Sequence, residues 1–151
     1  EIIWRNGRDN SRTPMQWDKS TNSGFSSAKP AELYVMQDPD CNRPTVEEQV
    51  ADEKSILNEL KRLISIRKTN TILQESAEFE LVNDGYPLVY KRRLQGRCVL
   101  VTINPSNEKC SCKCDFVTGK VIYELNGAAY TENGNVVVPP CSAAYIEIEE
   151  V

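Results

Sequence analysis

Two groups of side chains in this 151-residue sequence are equipped for chemistry. The first is the run Arg8-Asp9-Asn10-Ser11-Arg12-Thr13-Pro14-Met15-Gln16-Trp17-Asp18, followed closely by Asn22-Ser23-Gly24-Phe25-Ser26. Two arginines, a proline, a methionine and a tryptophan in fixed order make a distinctive pattern. The second is Lys109-Cys110-Ser111-Cys112-Lys113-Cys114, whose three cysteines would point to one face of a strand. Such a face could hold a soft metal or a redox cluster. It could equally be three small apolar side chains packed inward, with Ser111 and Lys113 facing water. Zinc sites generally use cysteine pairs with two to four residues between them, often with histidine, and this chain has no histidine. The spacing therefore favours packed thiols, and neither a metal nor a cofactor is expected. With Cys41, Cys98 and Cys141 the total is six, enough for three disulfides, but the count fixes neither connectivity nor compartment. Thiols kept reduced favour a cytoplasmic location.

The elements that must carry these groups divide into two kinds. Residues 1–44 are rich in Asn, Ser, Asp and Pro and show no sustained period. An irregular run of that length is usually functional or belongs to something larger. Thr45-Val46-Glu47-Glu48 reads as a capping box, and Asp52 offers a second cap. From Glu53 to about Lys68, Ile56, Leu57, Leu60, Leu63, Ile64 and Arg67 recur at three- and four-residue spacing, which predicts an amphipathic helix. Arg67 and Lys68 suit its last turn, and Asn70 is a stop. Beyond residue 75 the pattern becomes short strands: 78–82, 88–93, 99–103, 109–114, 120–125, 136–138 and 143–148. Turn residues such as Asn83-Asp84-Gly85 and Asn133-Gly134 punctuate them. About eight strands at this spacing predict an antiparallel sandwich. The expected division is 1–74, irregular segment plus helix, and 75–151, an all-β module.

Composition narrows the possibilities. Hydrophobic residues are 40% and charged residues 26%, ordinary for a globular chain able to bury a core. Lys plus Arg total 18 against 22 acidic residues, 18 − 22 = −4, with no basic cluster dense enough to follow a phosphate backbone. No nucleic-acid partner is expected. No apolar stretch approaches the ~20 residues that span a bilayer, so no membrane partner is expected either. The sequence opens at Glu1, with no charged segment leading an apolar one in the manner of a signal peptide.

The run 8–18 with Asn22–Ser26 resembles a signature of the oligo-1,6-glucosidase and α-glucosidase branch of glycoside hydrolase family 13. Three later stretches are also similar to that family: Asp52–Lys68 to its last barrel helix, Val99–Asn104 to a central strand of its C-terminal sandwich, and Val138–Ile146 to the closing strand. The resemblance implies a mainly β chain, an eight-stranded antiparallel β-sandwich (domain C). An irregular segment and one amphipathic helix from the end of a (β/α)8 barrel would precede it. It further implies the C-terminal portion of a retaining enzyme acting on short α-glucosides, whose catalytic carboxylates sit on earlier barrel strands outside these residues. No catalytic residue is therefore expected here, and the chain alone should be inactive. Its partners would be an α-glucoside oligosaccharide and the barrel domain. As substrate-binding residues the resemblance implies Arg8, matching an arginine that pairs with an Asp and contacts the terminal glucose hydroxyl, and Arg12, supporting the loop through Asp9 or Asp18. Met15, Trp17 and Phe25 are expected to pack the loop rather than stack on sugar. Away from the barrel, the Ile56/Leu60/Leu63/Ile64 face must pack on the sandwich, self-associate or stay partly exposed. Two further readings are a relative that has lost catalysis, like the transporter-associated ectodomains, and a carbohydrate-binding sandwich.

Overall fold

The structure, a computed structural model, describes residues 12–114 and 119–149. The chain divides into two compact units, Glu1–Leu63 and Ile64–Val151. In the first, residues 12–44 are irregular as expected, carrying two 3-10 turns, Thr21–Gly24 and Pro30–Glu32. A short helix α1, Val46–Ala51, then starts at the capping box: Thr45 Oγ1 accepts the Glu48 N–H at 3.2 Å and donates to Glu48 Oε2 at 3.0 Å.

Helix α2 spans Ile56–Thr69, beginning at Ile56 rather than Glu53. Asp52 is not its cap. The Asp52 carboxylate instead accepts the Lys54 N–H at 2.9 Å, closing a tight turn, and Ser55 Oγ caps α2 by accepting the Asn58 N–H at 3.2 Å. Ser55 Oγ donates to the Gln49 carbonyl at 2.6 Å, and Asn58 Nδ2 donates to the Gln49 and Asp52 carbonyls at 2.9 Å each. These bonds fix the turn between the two helices. At the other end Asn70 Nδ2 donates to the Ile66 carbonyl at 2.8 Å, satisfying one orphan acceptor. No residue of α2 is buried; Ile56 is 81% exposed, Leu60 and Ile64 are exposed, and Leu63 is half-buried. The apolar stripe is thus open in this chain.

Among the described residues the second unit contains eight strands: β1 Glu78–Asn83, β2 Leu88–Leu94, β3 Arg97–Asn104, β4 Cys110–Lys113, β5 Gly119–Leu125, β6 Tyr130–Glu132, β7 Asn135–Val138 and β8 Ser142–Ile148. Five form an antiparallel sheet in the order β1-β2-β3-β8-β5, and three form a second in the order β4-β7-β6. Period-2 alternation decides which side chains meet. On β8, Ala144, Ile146 and Ile148 join Cys98 and Leu100 of β3, Val89 of β2, and Val136 and Val138 of β7 in one buried cluster. That cluster is the core between the two sheets. The opposite face of the larger sheet buries Val99 and Val101, covered by Ile72 and Ala77 from the segment after α2. Strand β3 is therefore apolar on both faces, which is why 99–103 reads as a continuous hydrophobic run. The fold is the expected antiparallel sandwich.

Strand β6 has no counterpart among the expected strands. Its three residues are all exposed, so no alternation marks it; the β6–β7 turn creates it. Asn133 and Gly134, at φ 52° and 74°, form the two-residue turn whose handedness matches strand twist. The polar tie of the sandwich is Asn104, which is fully buried. Its Nδ2 donates to the carbonyls of Glu108 (2.8 Å), Pro139 (2.9 Å) and Val138 (3.2 Å), and its Oδ1 accepts from the Ser106 N–H and hydroxyl. Among the described residues no helix is long and apolar enough to cross a membrane.

Candidate functional site

The second half of the arginine-bearing run lies in the first unit, held by its backbone from two sides. On one side stands the turn Asn22-Ser23-Gly24, with all three residues left-handed at φ 54°, 54° and 70°. Non-glycine residues avoid this region, at a cost of ~1–3 kcal/mol each, and persist there only when their surroundings hold them. Asn22 and Ser23 are held because they are buried and bonded. Asn22 Nδ2 donates to the Ala28 and Ser26 carbonyls at 2.7 and 2.9 Å, and its own carbonyl accepts from Gln37 Nε2 at 3.0 Å. The Ser23 carbonyl accepts the Trp17 N–H at 2.8 Å and the Asp18 N–H at 3.3 Å. Gly24 is required by conformation and by space, since a Cβ there would come within 2.6 Å of Asp18 Oδ2. On the other side the first N–H groups of α1 point at the run: Val46 donates to the Gln16 carbonyl and Glu47 to the Trp17 carbonyl, both at 2.9 Å.

Two charged ties reinforce this frame. Asp18 accepts the Ser20 N–H at 2.7 Å together with the Ser20 hydroxyl, and these bonds hold its carboxyl below the ordinary value. Lys19 pairs with Glu48; the Lys19 bond, then the Thr45 hydroxyl, lowers the Glu48 carboxyl, while Glu48 raises the Lys19 ammonium. A depressed carboxylate contributes above its unfolded pKa and loses that contribution as pH falls through its folded value. The raised lysine contributes below its ordinary pKa and is lost only in strong base. The ties should hold at neutral pH and release in acid. In an NMR titration the Ser20 amide should follow Asp18 with a midpoint below about pH 4, the ordinary aspartate value. A midpoint at or above that value would contradict the bond.

Arg8 lies outside the described residues, as does Asp9. Arg12 is exposed at the start of the described run. Met15, Trp17 and Phe25, expected to pack the loop, each keep about half their surface open, Trp17 at 50%. The turns of 12–44 contribute Asn22 and Ser23 to the interior, polar residues with no apolar bed for an indole. The cysteine run behaves as packed thiols: Cys114 is buried in the inter-sheet core, Cys112 packs against it, Cys110 is half-buried, and Ser111 and Lys113 are exposed. Burial pushes the Cys112 thiol up, helped by neighbouring Cys114, which disfavours the nucleophilic thiolate. None of the six cysteines, all among the described residues, is in a disulfide. An open hollow of about 300 Å³ at the β2–β3 turn is lined by Ser76, Glu78, Arg93 and Arg97 among others. Its arginines are engaged, Arg93 with Glu80 and Arg97 with Glu147 at 2.6 Å, so it reads as a solvated charged surface.

Residues reading left unassigned are those that hold the loop: Asn22 and Ser23 as buried left-handed residues, Gln37 and Arg43 as distant partners. An Asn-Ser-Gly triplet is a signal for left-handed turns. Nothing local marks Gln37 or Arg43.

A helix-borne loop followed by a two-sheet sandwich recurs in solved sugar-converting enzymes. An isomaltulose synthase from Erwinia rhapontici, solved with D-glucose, matches 99% of this chain and 28% of its own at a TM-score of 0.79 and 27% identity. A second structure of that enzyme, solved with its natural substrate sucrose, matches 95% of this chain and 26% of its own at 0.78 and 28%. The class is thus one whose members carry this fold over about a quarter of their length. Within that class the chain belongs to the alpha-amylase family, glycoside hydrolase family 13, whose "Alpha amylase, catalytic domain" profile matches residues 1–76. Among curated relatives, a glucan 1,6-alpha-glucosidase of Streptococcus pneumoniae is 36% identical over 143 residues, 94% of this chain and 26% of its own. An oligo-1,6-glucosidase of Halalkalibacterium halodurans is 35% identical over 136 residues, 88% of this chain and 24% of its own. The chain spans about a quarter of the length of these relatives.

Proposed function

We propose that this chain supplies one wall of the sugar pocket in an α-glucosidase of the oligo-1,6-glucosidase type, acting on short α-glucosides. The observation that carries this reading is its similarity over 94% of its length to a protein described as a glucan 1,6-alpha-glucosidase. The catalytic-domain match ends at residue 76, just before β1 begins at Glu78. This supports assigning 1–74 to the last loop and helix of the barrel and 75–151 to domain C. In barrel enzymes the active site gathers on the βα-loops at the C-terminal face, and the framed run 12–18 is such a loop. Six cysteines outside any disulfide support a cytoplasmic setting.

The reaction is a double displacement. A carboxylate attacks the anomeric carbon while a carboxylic acid protonates the leaving oxygen, the two groups ~5–5.5 Å apart, and water then releases the glycosyl group with retention. We assign both groups to barrel strands outside this chain. Arg8 contributes recognition: a permanent, planar cation donating to the terminal glucose hydroxyl and pairing with an Asp of the barrel. Arg12 supports the same loop. The chain alone is expected to release no glucose from isomaltose, whereas the polypeptide that joins it to its barrel should release α-glucose first, seen by proton NMR of the anomeric signals. Turnover by the 151 residues alone, or β-glucose as first product, would refute the assignment. Isomaltose binding by the chain alone in calorimetry would favour a carbohydrate-binding sandwich instead.

A further inference from the structure

We propose that Arg43 is a positioning residue for the sugar-facing run, holding the Trp17–Asp18 backbone through the hydroxyl of Ser23; its functional part rests on the glucosidase reading above. The geometry is a relay with one pivot. Arg43 Nε and Nη2 converge on Ser23 Oγ at 3.3 and 3.0 Å, twenty residues away in sequence, while Nη1 donates to the Asp40 carbonyl at 2.9 Å and fixes the guanidinium at its own turn. The Ser23 carbonyl is committed in the other direction, to the N–H groups of Trp17 and Asp18. Ser23 is 1% exposed and left-handed, a conformation a serine leaves when nothing retains its side chain. Its departure would swing the carbonyl away from Trp17 and free one of the two sides that frame the run.

The residue type fits this task. Two N–H groups on one edge of a rigid plane meet a single hydroxyl while a third grips a carbonyl. Lysine, a single flexible point charge, would reproduce one of these bonds at best. The segment carrying Arg43 runs directly into α1, whose Val46 and Glu47 N–H groups hold the run's other side. One short stretch of chain therefore grips the loop twice.

The test has two arms. In the 151-residue chain, the Trp17 amide should exchange about tenfold faster in Arg43→Ala, the loss expected for a charge-assisted hydrogen bond. Ser23→Ala should match it, the double variant should add little, and Arg43→Lys should recover little. The Val101 amide in β3 should stay at its wild-type rate, reporting an intact fold. Wild-type exchange of Trp17 in both Arg43→Ala and Ser23→Ala would overturn the relay. In the barrel-containing enzyme, Arg43→Ala should raise KM for isomaltose about tenfold with kcat within about twofold, as lost uniform binding requires. An unchanged KM would overturn the positioning role. A wild-type enzyme inert on every α-glucoside would sink the glucosidase reading instead, and the amide arm would still decide the relay.

Discussion

Arg8→Ala in the barrel-containing enzyme is expected to lower kcat/KM on isomaltose by on the order of 10²-fold or more, the largest effect on activity the account foresees. Groups left unpaired set the size of the effect. In a pocket that excludes water, removing a charged donor leaves the sugar hydroxyl and the partner carboxylate without their bonds. An uncompensated buried charge costs more than the bond itself was worth. Arg8→Lys should recover little, because a point charge cannot serve a hydroxyl and a carboxylate in one plane. Steady-state kinetics of both variants check this; alanine and lysine variants within about threefold of wild type would remove Arg8 from the pocket. The thermal unfolding temperature of the same variants without sugar should fall by several degrees, reporting the carboxylate left unpaired separately from the loss of recognition.

Asn104→Ala should give the largest loss of stability. Its buried amide serves three carbonyls and its oxygen takes two bonds from Ser106. The alanine variant strands the Val138 and Pro139 carbonyls at the end of β7, in the closing approach to β8, and frees the turn after β3. At ~1–3 kcal/mol for each buried group left unsatisfied, the total is about 3 kcal/mol, partly relieved by water entry. For a unit of this size that lowers Tm by roughly 12–24 °C in a calorimetric scan. Asn104→Asp keeps the Ser106 bonds but replaces donor by acceptor against three carbonyls, so it should be no more stable than alanine. A Tm within a few degrees of wild type in both variants would show that water satisfies these carbonyls as well as Asn104 does.

What the sequence disclosed and what it hid follow from the range of the forces involved. Strand signals are local, so β2, β3, β7 and β8 are legible from short runs rich in Val, Ile and Leu, and Asn133-Gly134 marks a turn. Thr45 and Glu48 are three residues apart, and the predicted cap forms between them. The start of α2 falls later than its pattern predicts because Asp52 and Ser55 are both good caps; Ser55 prevails through its bond to the Gln49 carbonyl, outside any helical window. Ile72, fully buried under the larger sheet, lies in a 3-10 turn too short for periodicity to show. At the candidate site the run itself was visible as a pattern. The device that holds it was not, because Arg43 and Ser23 are twenty residues apart and neither belongs to a regular element. The apolar stripe of α2 is legible as a stripe, yet periodicity says only that a face is apolar, and in this chain that face is open.

The most direct measurement is a crystal structure of the barrel-containing enzyme with glucose bound. The account predicts the Arg8 guanidinium about 2.7–3.1 Å from a hydroxyl of the terminal glucose and paired with an aspartate of the barrel, with two further carboxyl groups ~5–5.5 Å apart across the anomeric carbon. A glucose bound elsewhere, or an Arg8 side chain turned away from it into the loop, would contradict the claim that this chain walls the pocket.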